Sequence, residues 1–178
     1  MRTTLPWILL LALAAGCARS QARWAEDLGS ADPFERALAA LALAQEAPER
    51  GAELAPVLLE TVDRSALELQ EPARRALERV APFATEALVT ALVVDPFLTL
   101  ERRAAIERAL VAAGPAAAET LVAAARGVGV ERAAPLEPVL LALGPAARAP
   151  LEEAARDAAR PDLAAWAAGL AARVGGAR

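Results

Sequence analysis

The chain has 178 residues and a formal net charge of -4, and it combines 56% hydrophobic residues with only 3% aromatic residues. It has no His and a single Cys, which excludes His-based zinc sites, disulfides within the chain and any catalytic triad that uses an imidazole. The acidic balance also argues against a nucleic-acid-binding protein, which normally presents a basic face.

Residues 1–16 predict an export signal that is not part of the fold. Arg2 supplies a positive start, and an apolar run follows from Leu5 to Ala15. A helix that crosses a bilayer needs about 20 apolar residues, so this run is too short for a stable transmembrane helix. The length is typical of the apolar core of a signal peptide.

Small residues stand directly before the only cysteine, in the order Ala14-Ala15-Gly16-Cys17. This order resembles the lipobox of bacterial lipoproteins, although that family usually has Leu where Ala14 stands. The resemblance implies cleavage before Cys17, acylation of this residue, and a short tether within residues 17–23. It further implies anchoring in the bacterial cell envelope, on the periplasmic side of the outer membrane if the cell is Gram-negative. The alternative is an ordinary secretory signal in which the cysteine is incidental.

The rest of the chain, residues 24–178, repeats with a period of about 31 residues. Asp32-Pro33-Phe34 recurs as Asp95-Pro96-Phe97, with Asp63 between them. Two further series keep the same phase: Gly51, Pro82, Pro115 and Pro145, and Leu43, Leu77, Leu110, Leu140 and Leu170. A fixed period between 20 and 50 residues is typical of a solenoid.

Each period predicts two helices. Ile106, Ala109 and Leu110 fall on one apolar stripe, and the charged residues around them fall on the other side. Gly114 followed by a proline predicts the end of one helix and the start of the next. An aspartate followed by a proline predicts the start of a first helix, at Asp32 and again at residue 95.

The first helices resemble short bacterial HEAT repeats of the phycobilisome-lyase-like group. The resemblance rests on two matching sets of residues: Arg36, Ala39, Ala42 and Leu43, and Arg103, Ile106, Ala109 and Leu110. It covers about residues 24–175 and implies an all-α fold, an α-solenoid of about five HEAT-like helical-hairpin repeats. Gln70 and Ala133 depart from the family, because they stand where it has Arg.

Prolines predict irregularities in this pattern. Pro135 and Pro138 are expected to break or shorten the first helix of the fourth repeat. Pro56 and Pro150, at matching positions of two second helices, predict late starts or kinks. Trp24 and Trp166 lie near opposite ends of the repeat region, and we expect them to cover exposed core there; the alternative is a binding hot spot for a partner.

Glu86 and Glu119 are the candidate partner-binding residues. They occupy equivalent positions of adjacent second helices, which line the concave face in HEAT solenoids. They could form an acidic strip for a basic partner, but a solvated helix face is the simpler interpretation of the same pattern.

Two other charged groups allow a functional and a structural interpretation. Asp32, Asp63 and Asp95 could form a carboxylate array, but aspartates at turns more often cap helices. Two arginine pairs, Arg74-Arg75 and Arg102-Arg103, could contact anionic headgroups or polymers. The structural alternative is an outward face on which neighbouring glutamates balance these arginines.

The sequence therefore predicts a membrane-anchored HEAT-repeat lipoprotein that acts as a protein-binding scaffold or adaptor. Its expected partners are an unidentified protein and, through the acylated cysteine, the membrane. We expect no enzymatic activity, no cofactor and no metal site, because no nucleophile–base pair is evident. The alternatives are a non-catalytic or lyase-like accessory subunit of an enzyme, implied by family kinship alone, and a passive structural lipoprotein.

Overall fold

The computed structural model describes residues 21–64, 67–95 and 97–176, and this part of the chain is all-α, without a strand. Residues 21–27 form helix α1. The helices that follow are α2 (Pro33–Glu46), α3 (Gly51–Arg64), α4 (Leu67–Val94), α5 (Leu100–Ala113), α6 (Pro115–Val128), α7 (Glu137–Leu143), α8 (Pro145–Ala154) and α9 (Pro161–Gly176). Short 3-10 turns lie between α2 and α3 (Pro48–Arg50) and between α6 and α7 (Val130–Arg132 and Ala134–Leu136). Within these ranges, no helix combines the length and the apolar character that crossing a bilayer would require.

Three helix starts follow the local rules that the sequence predicts. The Asp32 carboxylate accepts a hydrogen bond from the backbone N–H of Phe34 at 2.9 Å, and Pro33 takes the first helical position of α2. The starts of α6 and α8 are prolines that directly follow Gly114 and Gly144. These glycines have φ values of 69° and 56°, which a residue with a Cβ rarely adopts. The predicted helix ends at both glycines are confirmed.

The start of a first helix that the sequence predicts at Asp95 is wrong. Helix α5 begins five residues later, and its cap is Thr99, whose hydroxyl accepts from the Arg102 backbone N–H at 3.2 Å. The Asp95 carboxylate instead accepts from the backbone N–H of Phe97 at 2.8 Å, in the link that precedes α5. Both residues are good helix caps, so the choice between them depends on the path of this link.

Helix α4 has 28 residues with Pro82 near its middle, and its contacts with α3 require a bend at this proline. The first residue of α3, Gly51, lies against the backbone of α4 at Val80. Farther along, residues 55–59 of α3 border the same groove as residues 87–91 of α4, so these two segments run in the same direction. The first half of α4 runs back along α3, because it begins three residues after α3 ends. The two halves therefore belong to different layers of the fold.

The helices form two layers, in which each helix contacts its neighbours along the chain. The first-helix layer contains α2, residues 67–81 of α4, α5, α7 and α9, and successive members are in contact. The second-helix layer contains α3, residues 82–94 of α4, α6 and α8, which also contact one another in order. The hydrophobic core lies between these layers.

Leucines at a constant spacing connect the layers. The first-helix layer contributes Leu43, Leu77, Leu110 and Leu140, and the second-helix layer contributes Leu54, Leu88, Leu121 and Leu151, eleven residues later in each case. All eight side chains are fully buried. Buried alanines fill the space around them, and this accounts for a high hydrophobic content with few aromatic residues. Leu170 of α9 is also buried and ends the first series.

The proline series begins at Pro48 and not at Gly51. Pro48, Pro82, Pro115 and Pro145 each follow a buried leucine of the first-helix layer by five residues. The glycine has a different role, because a Cβ at this position would lie 2.6 Å from the carbonyl oxygen of Val80. It allows the start of α3 to approach the bend of α4 closely.

Prolines shorten one of the helices as predicted, but they do not delay the start of two others. Helix α7 is reduced to seven residues, and Pro135 lies in the 3-10 turn before it, so the predicted shortening is confirmed. Pro56 and Pro150 lie inside α3 and α8, which begin five residues earlier in both cases. Of the late starts or kinks predicted from these two prolines, the late starts are wrong, and the kinks stay a prediction.

Candidate functional site

The outward side of the second-helix layer, which we call the second-helix face, carries the two candidate partner-binding glutamates. Glu86 and Glu119 each stand two residues before a buried leucine, which places them on the opposite side of their helices from the core. Both are exposed, and neither side chain has a hydrogen bond or an ion pair within the part of the chain that the structure describes. Their helices are in contact, and packed helices lie about 8–10 Å apart.

Two shallow grooves run between helices of this face. The groove between α3 and α4 has a volume of about 220 Å³ and is bordered by Ala55, Pro56, Leu59, Ala87, Ala91, Asp95 and Arg102. The groove between α6 and α8 has a volume of about 200 Å³ and is bordered by Glu119, Val122, Ala123, Arg126, Pro150 and Glu153. Alanines and prolines at the borders leave these spaces open, because longer side chains would fill them. The structure thus places Glu119 at the edge of a groove.

Charge is unevenly distributed over the second-helix face. Glu86 of α4 and Glu119 in the first half of α6 carry free carboxylates, whereas the arginines near the C-terminal end of α6 are engaged. Arg126 lies 3.9 Å from the carboxylate of Asp157, and its backbone carbonyl accepts a hydrogen bond from the Arg160 guanidinium. The cations at that end are therefore partly neutralised by contacts within the chain.

The three aspartates of the sequence series do not form a carboxylate array. Asp32 and Asp95 accept backbone hydrogen bonds at two different turns. Asp63 lies in the last turn of α3, where its carboxylate is 3.3 Å from Nε of Arg102. Both side chains are only 17% exposed, and the guanidinium N–H is not aligned for a hydrogen bond, so the contact is an ion pair without one. Its role is structural, since it joins the start of α5 to the end of α3.

The two arginine pairs have different environments. Arg74 and Arg75 both contact the carboxylate of Glu71, at 3.5 and 3.2 Å. The hydrogen bond from Arg75 holds the pKa of Glu71 below its usual value, and the charges of Arg75 and Arg108 act in the same direction. This pair fits the expected outward face balanced by glutamates. Arg102 does not, because it turns inward to the aspartate at the end of α3.

Trp24 and Trp166 are half-buried and pack against the hydrophobic core near the two ends of the described chain. The indole N–H of Trp166 donates to a carboxylate oxygen of Glu137 at 3.0 Å, which fixes α9 against the start of α7. Both contacts agree with the expected covering of the terminal core.

A larger groove on the first-helix layer was not predicted from the sequence. It has a volume of about 440 Å³ and is bordered by Glu78, Glu107, Arg108, Val111, Ala112, Pro138, Val139 and Ala142. At one edge Glu78 and Arg108 form an ion pair at 2.8 Å. The sequence signal for this groove is the proline at residue 138, because the short α7 leaves part of α5 uncovered.

The remaining predicted residue, Cys17, lies outside the described residues. Among the residues that are described, no group of three or more His, Cys, Asp or Glu side chains is placed to hold a metal ion.

Comparisons with known proteins do not assign this chain to a family. No family model matches it, and searches of the curated proteins and of the solved structures found no match either. A functional conclusion therefore has to start from the geometry of the two layers and their faces.

Proposed function

We propose that this protein is a lipid-anchored HEAT-like α-solenoid that acts as a scaffold or adaptor in the bacterial cell envelope, with the second-helix face binding a protein partner. The observation that carries this proposal is the face itself: ordered second helices, grooves between them, and two exposed carboxylates without partners in the described chain. A regular stack of helices offers an extended surface that suits binding better than catalysis.

The chemistry of the partner follows from the free charges. Glu86 and Glu119 carry negative charge at equivalent positions, so the complementary surface is basic. Flanking alanines and prolines leave room for side chains of the partner to enter the grooves. We assign no catalytic role to this face, in keeping with a sequence that has no histidine.

Site-specific crosslinking tests the face. A photo-crosslinking amino acid at Glu119 is expected to capture a partner from membranes of the native organism, and the charge reversal Glu86→Arg is expected to lower the yield. Arg79, exposed on the first half of α4, gives the matched control position on the other layer. Equal capture from both positions would contradict a specific second-helix face.

Metabolic labelling tests the anchor separately. A palmitate analogue is expected to label the wild-type chain but not Cys17→Ala, because acylation requires this thiol. Equal labelling of both would reject the lipoprotein assignment without affecting the crosslinking result.

The alternative role, as an accessory subunit of an enzyme, would use the larger groove of the first-helix layer. Its volume of about 440 Å³ falls within the range of small-molecule sites, and its borders are mostly apolar. Under this alternative, Ala112→Trp, which fills the groove, would abolish the accessory activity, whereas the substitution at Glu86 would leave it unchanged.

A further inference from the structure

Large apolar side chains are exposed along one edge of the molecule, where first helices begin. Leu67 and Leu100 are the first residues of α4 and α5, and they are 80% and 79% exposed. Phe34 in the first turn of α2 is 53% exposed, and Val94 and Phe97 beside the α4–α5 link are 65% and 86% exposed. We call these five side chains the apolar edge. Soluble proteins seldom leave several large apolar side chains exposed together unless something covers them.

Two ion pairs and one short sequence separation place these residues around the end of α3. Arg36 of α2 lies 3.5 Å from Glu60, and Arg102 of α5 lies 3.3 Å from Asp63, both in the second half of α3. Leu67 begins α4 only three residues after α3 ends. The first turns of α2, α4 and α5 therefore meet at one place, and the apolar residues of these turns lie at the same edge.

The rim of the apolar edge is acidic. Glu35, Glu68 and Glu101 each directly follow one of its apolar residues, and all three are exposed. Two cations of the first turns are already engaged with α3, which leaves Arg64 and Arg103 as the cations near this rim.

Helix dipoles do not reverse this sign. Three helix starts contribute about +0.5 charge each and the ends of α3 and α4 contribute about -0.5 each, which leaves about +0.5, less than the net charge of -1 from Glu35, Glu68 and Glu101 against Arg64 and Arg103. The exposed carboxylates therefore determine the potential at the apolar edge.

We propose that the apolar edge binds a cationic amphipathic helix of a partner protein. Neighbouring first helices lie about 8–10 Å apart, and a helix advances about 10.5 Å in seven residues. Apolar residues at seven-residue spacing on the partner therefore match the spacing between Leu67 and Leu100. Basic residues beside them face Glu68 and Glu101. The same carboxylates repel an anionic bilayer surface and a second copy of this edge. The apolar edge adjoins the α3–α4 groove at Asp95 and Arg102, but the proposed binding does not depend on Glu86 or Glu119.

Fluorescence anisotropy with a defined probe tests the proposal on the full chain in mild detergent. The probe is a labelled synthetic helix with leucines at seven-residue spacing and arginines beside them, and its counterpart carries glutamates instead. We expect binding of the cationic probe alone, weakened by salt. Leu67→Ser with Leu100→Ser is expected to weaken binding about tenfold or more, because both anchors are lost. Glu68→Gln with Glu101→Gln is expected to weaken it about threefold and to flatten the salt dependence.

The chain offers a matched control. Phe83, at the bend of α4, is 53% exposed like Phe34, but it lies at the opposite end of the second half of α4 from Val94. We expect Phe34→Ser to weaken probe binding and Phe83→Ser to leave it unchanged. Circular dichroism of all variants should remain helical, because every substituted side chain is exposed.

Four results would overturn the proposal. One is the absence of cationic probe binding, and another is equal binding of the acidic probe. A third is a dimer in sedimentation experiments that the double leucine variant abolishes, because it assigns the edge to a second copy. The fourth concerns the bilayer and uses the Cys17→Ala protein, which has no acyl anchor. If this protein binds phosphatidylglycerol vesicles, and adding Leu67→Ser and Leu100→Ser abolishes that binding, the apolar edge binds lipid.

Discussion

A proline stands five residues after a buried leucine both at the α5–α6 turn and in the middle of α4, but the backbone before the proline differs between these two places. At the α5–α6 turn, Gly114 has φ 69° and ψ -140°, and it separates two distinct helices. In the middle of α4, Ala81 occupies the corresponding position without a positive φ, and the helix continues through Pro82. The proline is common to both turns, so the residue before it makes the difference.

The two turns are also held by different forces. Gly114 has no heavy atom within 4 Å of the place where a Cβ would be, so its turn depends on local backbone freedom. The bend of α4 is packed closely: Gly51 of α3 approaches the backbone of Val80, and Ala81 itself is fully buried. A local turn tolerates changes in its surroundings, whereas a packed bend depends on distant residues.

Adding one methyl group at the packed bend is expected to have the largest effect. In Gly51→Ala the new Cβ would lie 2.6 Å from the Val80 carbonyl oxygen and 3.2 Å from the Ala84 nitrogen. Both are backbone atoms, so relief requires a shift of α3 against α4, and we expect a loss of about 2–3 kcal/mol in the free energy of unfolding. Urea denaturation measures this loss.

Gly169→Ala is the control for that measurement. This glycine lies inside α9 with no atom within 4 Å of the added Cβ, so alanine should stabilise the protein by about 0.5–1 kcal/mol. If the two substitutions have the same effect, close packing does not hold the bend.

The local turn gives the next prediction. Gly114→Ala forces an alanine to a positive φ without any new contact, and we expect a loss of about 1–2 kcal/mol by urea denaturation. The reverse change, Ala81→Gly, should cost about 1 kcal/mol through lower helix propensity. A neutral result for Gly114→Ala would show that its turn does not depend on the left-handed conformation.

Removing the ion pair between Asp63 and Arg102 should lower the free energy of unfolding by less, although this pair joins the start of α5 to the end of α3. Asp63→Asn removes the charge while keeping the shape, and we expect a loss of about 1 kcal/mol because Arg102 remains mostly buried without a counter-ion. The control is Glu152→Gln, whose partner Arg148 is 59% exposed and solvated. A loss of stability that is no larger for Asp63→Asn than for this control would mean that solvent screens both pairs equally.

The smallest effect concerns the carboxylate of Glu71 on the first half of α4. The hydrogen bond from Arg75 lowers the pKa of Glu71, so Arg75→Ala should raise this pKa toward its usual value. The pKa of Glu71 is lower in the folded protein than in the unfolded chain. The pair therefore contributes to the free energy of unfolding above the unfolded-state pKa, and this contribution is lost as the pH falls through the folded-state pKa. An NMR titration of the side-chain carboxyl detects the shift, and an unchanged midpoint in Arg75→Ala would contradict this cause.

Much of the helical pattern was predictable because it depends on neighbouring residues. The leucine spacing, the stops at Gly114 and Gly144 and the shortening of α7 all follow from side chains within a few positions along the chain. The cap of α5 was missed for a related reason. Asp95 and Thr99 are both suitable caps, and only the course of the link selects between them.

The candidate sites divide in the same way. The repeat pattern placed Glu86 and Glu119 at equivalent positions of adjacent second helices, and both are exposed in the structure. The apolar edge was not predicted, because Leu67, Leu100 and Phe97 resemble core residues in the sequence. Their exposure results from the meeting of three helix starts around the end of α3.

The sequence by itself determined the all-α character, the spacing of the core leucines and the glycine–proline turns, because these depend on helix periodicity and local backbone freedom. Only the tertiary structure decided where α4 bends, why Gly51 has to be a glycine, and where Arg102 finds its counter-ion. Each of these depends on two segments about 30 to 40 residues apart in the chain, and their distance is set by the packing of whole helices.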